Sequence, residues 1–182
     1  MRVIAGKAKG RMLIAPEGLN TRPIMAKMKE ALFSMWQFDI YGANFLDLFA
    51  GSGAFGAECI SRGASKVVFV DKESKAINTI KQNTKNMSED FEIIQSDFES
   101  ALASFENRGL KFDLVYLDPP FASKFVQKAL EMLDEKHLLK DGAVLVVERD
   151  LQNDLQNAPE CYIIRKTKKY GTIFVDVLCY EK

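Results

Sequence analysis

The feature that most constrains the fold is the stretch 44–56, which reads NFLDLFAGSGAFG. The run from Phe45 to Phe49 is apolar apart from one aspartate, and it is long enough for one buried strand. The glycines that follow allow a tight turn in which the backbone approaches a ligand closely. A helix is predicted from Ala54 to Arg62, ended by Gly63. A strand, a glycine turn and a helix N-terminus together are typical of a nucleotide site.

Asp47 is the one charged residue inside this predicted strand. A carboxylate in a buried strand is costly unless it has a partner. We therefore expect Asp47 to face the ligand.

The formal net charge of the 182 residues is zero, but the charge is unevenly distributed. Residues 1–30 hold seven basic and two acidic side chains, and residues 165–182 hold five basic and two acidic ones. A polyanion-binding face would form if these two ends met in space. The alternative is ordinary solvated surface charge.

Three cysteines lie far apart, and none of them forms part of a Cys or Cys/His metal spacing. We expect free thiols in a reducing compartment and no bound metal. The N-terminus has no apolar signal region, and the longest aliphatic run, Ala143 to Val147, is too short to span a membrane. The sequence therefore predicts a soluble, cytoplasmic protein that has no membrane partner.

The first forty residues are predicted to form an extension of the core. A basic hairpin is expected over 2–15, and a helix is expected to open at Pro23, where a missing N–H costs nothing. Lys27 and Lys29 are placed off its apolar stripe. The stripe comprises Met25, Met28, Leu32, Met35 and Trp36.

From Asn44 onwards, predicted strands and helices alternate, which implies a parallel sheet with helices on both faces. A terminal antiparallel hairpin follows, in which Tyr162–Lys168 and Thr172–Tyr180 alternate with period two. We expect one domain over 1–182, with the catalytic core at 41–182. The other strands are expected at 45–49, 67–70, 91–94, 112–117 and 143–147, and the intervening helices at 54–62, 73–86, 98–106 and 125–133.

Gly51, Gly53 and Gly56 satisfy the dinucleotide fingerprint, and Asp71 lies about twenty residues further on. Taken alone, this pattern admits an NAD(P)-dependent oxidoreductase. A carboxylate at Asp47 would repel a pyrophosphate, however, and it suits a ligand that carries an ammonium group. The segment 118–121, D-P-P-F, also has no obvious use in hydride transfer.

The combination of Asp47, Gly51 and Gly53 with D-P-P-F resembles the S-adenosylmethionine-dependent methyltransferases that act on exocyclic amino nitrogens. The chain as a whole, from residue 2 to about 180, resembles the bacterial 16S ribosomal RNA guanine-N2 methyltransferases. The motifs that carry this closer resemblance are RVIAGK at 2–7, GR at 10–11, RP at 22–23, KEALF at 29–33, DLFAGSGAFG at 47–56, SRGA at 61–64 and KYG at 169–171.

The resemblance implies an α/β fold of the Rossmann-like methyltransferase type. Its sheet would have seven mostly parallel strands and a C-terminal antiparallel hairpin. The donor would be S-adenosyl-L-methionine, and the substrate would be a guanine N2 in 16S rRNA or the small ribosomal subunit. The RNA would be bound by Arg2, Lys7, Lys9, Arg11 and Arg22, and the donor by Asp47, Phe49, Gly51, Gly53, Asp71 and Asp97.

Asp71 and Asp97 have specific expected roles at the donor. Asp71 ends the second strand and can accept hydrogen bonds from both ribose hydroxyls, and Asp97 is placed to accept from the adenine amine. Each also has a structural alternative as a helix N-cap.

The D-P-P-F segment, which comprises Asp118, Pro119, Pro120 and Phe121, has a chemical rationale at the target amine. The lone pair of an exocyclic base amine is delocalised into the ring, so the amine is a poor nucleophile. The Asp118 carboxylate and the Pro119 carbonyl can accept from its N–H groups and favour a pyramidal nitrogen. The fixed φ angles of the prolines hold these acceptors rigidly, and Phe121 can stack on the base.

The sequence departs from the family pattern at 24–27, IMAK, where the family carries threonines, an aspartate and a basic residue. Glu148 closes the fifth strand and could lie near the pocket, but the sequence gives it no role. Three other functions stay open. These are a DNA adenine-N6 methyltransferase, a protein glutamine-N5 methyltransferase and a non-catalytic RNA-binding assembly factor.

Overall fold

The computed structural model describes residues 1–15, 23–87, 90–120, 124–151 and 155–182, with residues 23–26 described as backbone only. Its strands are β1 Asn44–Leu48, β2 Lys66–Asp71, β3 Phe91–Gln95, β4 Phe112–Leu117, β5 Leu139–Arg149, β6 Tyr162–Tyr170 and β7 Ile173–Tyr180. Its helices are α1 Pro23–Met35, α2 Ala54–Ser61, α3 Ser74–Thr84, α4 Phe98–Asn107 and α5 Phe125–Glu135.

The seven strands form one sheet in the order β3-β2-β1-β4-β5-β7-β6. Strands β1 to β5 run parallel, whereas β7 lies antiparallel between β5 and β6. The chain order reverses between β1 and β4, and such a reversal opens a crevice at the carboxyl ends of the strands. This topology is the predicted α/β arrangement with a terminal antiparallel hairpin.

Apolar side chains cover both faces of the sheet, which explains the nearly continuous hydrophobic strands. One face packs against α4 and α5, where Phe105 and Leu130 are fully buried. The other face packs against α1, α2 and α3 through Phe33, Phe55 and Ile80. The two layers hold β1 and β4 at the centre of the molecule.

The N-terminal hairpin is less regular than predicted. Residues 1–15 pair through a single antiparallel bridge between Arg2 and Met12. A side chain of α2 replaces further strand pairing at this point. The Glu58 carboxylate accepts hydrogen bonds from the backbone N–H groups of Ile4 and Ala5 at 2.8 and 3.0 Å. The segment is therefore held both by its own backbone hydrogen bonds and by contacts with α2.

The placement of Lys29 off the apolar stripe of α1 is wrong. Lys29 is only 2% exposed, and its ammonium forms an ion pair with Glu58 Oε2 at 3.0 Å. It lies one turn before Phe33, which is fully buried, and its Nζ is 5.7 Å from the centre of that ring. The buried stripe is thus wider than the apolar pattern suggested, since a partner on α2 compensates the charge.

Among the described residues, no helix is long and apolar enough to cross a membrane. The same residues contain no group of three or more His, Cys, Asp or Glu side chains that could hold a metal ion. Cys59, Cys161 and Cys179 are free thiols.

Candidate active site

Three aspartates mark the carboxyl edge of the sheet around the point where strand order reverses. Asp47 is the second-last residue of β1, Asp71 ends β2, and Asp118 follows Leu117 at the end of β4. Strand β1 pairs directly with both β2 and β4. The parallel strands therefore bring the three carboxylates to one edge, as the sequence predicted.

The glycine turn after β1 has an unusual backbone. Phe49, Gly51 and Gly53 have φ angles of 67°, 55° and 70°. Such angles suit glycine, but they are costly for phenylalanine. The Phe49 ring is anchored against the rings of Phe98 and Phe125, at centroid distances of 5.2 and 6.1 Å. This packing holds the strained backbone of the turn in place.

Asp71 fastens the glycine turn to the end of β2. Its Oδ2 accepts from the Gly51 N–H at 2.8 Å, and its Oδ1 accepts from the Glu73 N–H at 2.9 Å. A carboxylate has about four lone-pair sites, so acceptor capacity remains for a ligand hydroxyl. No described atom lies within 4 Å of the position where a Cβ of Gly51 would stand. The turn is therefore open next to Asp71.

Asp47 is buried, with 1% of its surface exposed. Its Oδ2 accepts from the Gly56 N–H at 2.9 Å and so caps the first turn of α2, whose N-cap Gly53 has no side chain. Its Oδ1 has no hydrogen-bond partner among the described residues. Burial raises the pKa of Asp47 to about 8, although the Gly56 N–H opposes this shift.

Asp118 lies where β4 leaves the sheet, followed by the buried Pro119. Burial raises the pKa of Asp118 to about 6. The third member of the motif, Pro120, is exposed, and Phe121 lies outside the described residues.

Glu148, for which the sequence suggested only a position near the pocket and no role, lies beside Asp118. Leu117 of β4 pairs with Val147 of β5, so the next residues, Asp118 and Glu148, follow side by side. Glu148 is buried, and its Oε1 accepts a hydrogen bond from the Tyr116 hydroxyl. Burial and the nearby Asp118 raise the pKa of Glu148 to about 8. The available signal was a carboxylate closing a buried strand, the same signal that singled out Asp71.

Tyr116 connects this carboxylate to α2. Its ring stacks on Phe55 at a centroid distance of 3.7 Å and an angle of 13°. Asp47 lies opposite Tyr116 in the pairing of β1 with β4. The carboxyl edge therefore has a buried layer in which Asp47, Tyr116 and Glu148 lie on the side of α2.

Asp97 is exposed and serves as the N-cap of α4, where its Oδ1 accepts from the Ser100 N–H at 2.8 Å. That hydrogen bond lowers the pKa of Asp97. The structural alternative is thus realised, and the contact with adenine stays a prediction.

The basic N-terminal residues lie along α2. The Lys7 N–H donates to the Ser61 carbonyl at 2.8 Å, so the tip of the segment adjoins the C-terminal end of α2, whereas the glycine turn precedes its N-terminal end. Lys9 follows in the same tip, and the Arg11 guanidinium donates to the Lys85 carbonyl. Arg2 forms the bridge with Met12, and Arg22 lies outside the described residues. RNA binding by these side chains stays a prediction.

Comparison with known proteins shows the family of this chain. A family model described as "Conserved hypothetical protein 95" matches residues 1–179. The chain belongs to this family.

Named relatives span the whole chain. A Bacillus subtilis protein that is provisionally named an rRNA methyltransferase, YlbH, is 36% identical and covers 100% of this chain and 99% of its own length. Ribosomal RNA small subunit methyltransferase D of Haemophilus influenzae is 34% identical over 95% of this chain and 90% of its own length. The resemblance drawn from the sequence motifs is confirmed.

The fold has close counterparts among solved structures. An Escherichia coli structure provisionally titled a methyltransferase, yhhF, superposes with a TM-score of 0.87 at 26% identity and covers 100% of this chain and 98% of that one. The predicted Rossmann-like methyltransferase fold is confirmed.

Proposed function

We propose that the protein transfers a methyl group from S-adenosylmethionine to the exocyclic N2 of a guanine in small-subunit ribosomal RNA. The observation that carries this proposal is the position of Asp118 beside Asp47 and Asp71 at the strand-order reversal. It is supported by full-length relatives, two of which are named for rRNA methylation.

The described residues fit the donor. Asp71 has acceptor capacity for the ribose hydroxyls, and the open space at Gly51 leaves room for a ligand next to it. Asp47 Oδ1 is a buried acceptor without a donor, which a ligand ammonium or a bridging water would satisfy. When bound, the donor supplies an electrophilic methyl group on a sulfonium.

Asp118 and Pro119 would hold the target amine. With a pKa of about 6, the Asp118 carboxyl is mostly ionised above neutral pH, so that it accepts hydrogen bonds from the amine. The new C–N bond forms as the C–S bond breaks, and one N–H proton leaves, which the Asp118 carboxylate can take up. We infer that orientation of the amine supplies most of the rate. We also propose that the target guanine stacks on the ring of Phe121.

We further propose that the basic segment of residues 2–22 contacts the RNA, and that the protein works in the cytoplasm. The side chains concerned are Arg2, Lys7, Lys9, Arg11 and Arg22. Affinity carried by such contacts falls steeply as salt is raised.

Donor binding is tested by thermal shift. S-adenosylmethionine or its demethylated product should raise the melting temperature, and Asp71→Ala should remove the shift. If NADH raised the melting temperature and S-adenosylmethionine did not, the protein would instead be an oxidoreductase.

Catalysis is tested by single-turnover methyl transfer to unmodified small-subunit rRNA or particles. Asp118→Ala should slow transfer by about 10²–10³, by analogy with loss of one oxyanion-hole donor. Donor affinity, measured by calorimetry, should change little, because this carboxylate contacts the base. Transfer by the variant at the wild-type rate would remove Asp118 from the mechanism. A wild type that binds donor and methylates no RNA would indicate an assembly factor, and transfer to DNA adenine or to protein glutamine would select those alternatives.

A further inference from the structure

The edge strand β6 carries a second set of basic side chains, which the proposed function has not used. Lys166 and Lys168 are exposed, and neither ammonium lies within 4 Å of a carboxylate of the described residues. Arg165, between Ile164 and Lys166, is in contrast paired with Glu181. The two lysines therefore present uncompensated positive charge.

A β-bulge determines which way these lysines point. Ile164 pairs with Leu178 and Lys166 pairs with Val177, so Arg165 is an extra residue in β6. Without it, Lys166 would lie on the same face as Ile164, because side chains alternate along a strand. The bulge turns Lys166 and Lys168 to the opposite face, which is the face covered by α1 and α2. Bulges are frequent next to active sites, where they re-aim side chains.

The register connects Lys168 to the active-site edge. Lys168 pairs with Val175, which pairs with Glu148, the neighbour of Asp118. Directly paired residues point to the same face of a sheet. The row from β4 to β6 crosses three strand spacings, about 14 Å in all. One RNA strand bound at Asp118 can thus reach the lysines.

Helix α1 provides the other side of this surface. Ala31, Leu32 and Met35 line a shallow groove together with the lysines of β6. On the opposite face of the hairpin, Arg149 pairs with the buried Asp176 at 2.5 Å, and the exposed Lys169 lies over the Phe174 ring with its Nζ 5.4 Å from the ring centre. Two of the three β6 lysines, Lys166 and Lys168, therefore point to the face beside α1.

We propose that Lys166 and Lys168 form, beside α1, a binding edge for the phosphate backbone of the RNA substrate. This inference rests on the proposed function, and it deepens that function by naming a surface at the active-site end of the sheet. The charge and exposure of the lysines favour a polyanion, and their row ends at the residue proposed to hold the base. They would position the RNA without taking part in the chemistry.

The experiment compares Lys166→Gln/Lys168→Gln with a control that loses the same charge, Lys111→Gln/Lys140→Gln. The control lysines are exposed and lie at the opposite edge of the sheet, Lys111 just before β4 and Lys140 near the start of β5, where it pairs with Asp113 at 2.8 Å. Binding of transcribed, unmodified 16S rRNA is measured over a salt series. The β6 variant should bind about tenfold more weakly, with a salt slope smaller by about 1 to 2. The control should resemble the wild type.

Two further readouts separate the possible outcomes. The melting temperature and the S-adenosylmethionine affinity of the β6 variant should be unchanged, and single-turnover transfer at saturating RNA should keep its rate. Equal RNA affinity in the β6 variant and the wild type, or equal weakening in both variants, would overturn the inference. A wild type that binds RNA without methylating it would refute the proposed function, and the binding comparison would still decide the role of β6.

Discussion

Two buried carboxylates near α2 have opposite environments. Glu58 accepts from the backbone N–H groups of Ile4 and Ala5, and it is paired with Lys29 at 3.0 Å and Arg62 at 2.9 Å. Asp47 has one donor, the Gly56 N–H, and one oxygen without a partner among the described residues. Both side chains are almost completely buried.

Their ionisation follows this difference. Burial alone would raise the pKa of Glu58, but Lys29 and the Ile4 N–H hold it below the ordinary value. Burial raises the pKa of Asp47 to about 8, because one backbone donor does not offset desolvation. A satisfied carboxylate stabilises the fold, whereas an unsatisfied one reduces stability unless a bound ligand or water supplies the missing donor. We infer that Glu58 is structural and that Asp47 is functional.

The largest expected effect is the loss of Glu58. Glu58→Gln leaves the Lys29 ammonium buried without a counter-charge, which should lower the free energy of unfolding by about 3–5 kcal/mol. Urea denaturation measures this change. Glu30→Gln, at an exposed position on the same helix as Lys29, is the control and should change stability by less than about 0.5 kcal/mol. Equal stabilities of the two variants would remove the structural role of Glu58.

The second prediction is that substitution of Asp47, unlike that of Glu58, raises the stability of the protein. Asp47→Asn keeps an oxygen for the Gly56 N–H and removes a carboxyl that must either take up a proton or be buried as a charge, so the protein should become more stable at pH 8, by about 1–3 kcal/mol. Donor affinity should fall, since the amide cannot compensate an ammonium. A variant that is destabilised and binds donor normally would show that Asp47 is only a helix cap.

The third prediction concerns pH. The Asp47 pKa of about 8 lies above the unfolded value near 4. The folded state therefore holds a proton that the unfolded state has lost, and the free energy of unfolding should fall as pH rises from about 4 to about 8. Asp47→Asn should show a smaller fall, and the remainder should come largely from Glu148. Identical pH profiles for wild type and variant would contradict the assigned ionisation of Asp47.

The smallest expected effect is at Asp97. Asp97→Ala should cost about 1 kcal/mol through loss of the α4 N-cap. Asp97→Ser keeps a capping oxygen and should retain stability while weakening donor binding, because the carboxylate is lost. Normal donor affinity in the serine variant would leave Asp97 as a cap alone.

The sequence predicted the alternating elements and the three aspartates of the carboxyl edge, because buried strands and their terminal carboxylates are local signals. It did not predict the burial of Lys29, since its partner Glu58 is distant in sequence and on another helix. Nor did it predict the bulge at Arg165, which arises from the pairing of β6 with β7.

Two site features also depended on tertiary structure. The left-handed backbone of Phe49 is held by aromatic packing with α4 and α5. No local sequence pattern predicts such a backbone for a residue other than glycine. Glu148 gave a visible signal, but its connection to Asp118 depends on the register of β5 against β4. Local patterns thus located the site, and strand pairing determined its neighbours.

Nucleoside mass spectrometry can show whether the protein methylates guanine N2 in small-subunit rRNA. Small-subunit rRNA from cells with and without the gene is digested to nucleosides and compared. N2-methylguanosine should decrease without the gene and return when the wild type is restored, but not when Asp118→Ala is restored. An unchanged N2-methylguanosine content, or equal restoration by the Asp118 variant, would contradict it.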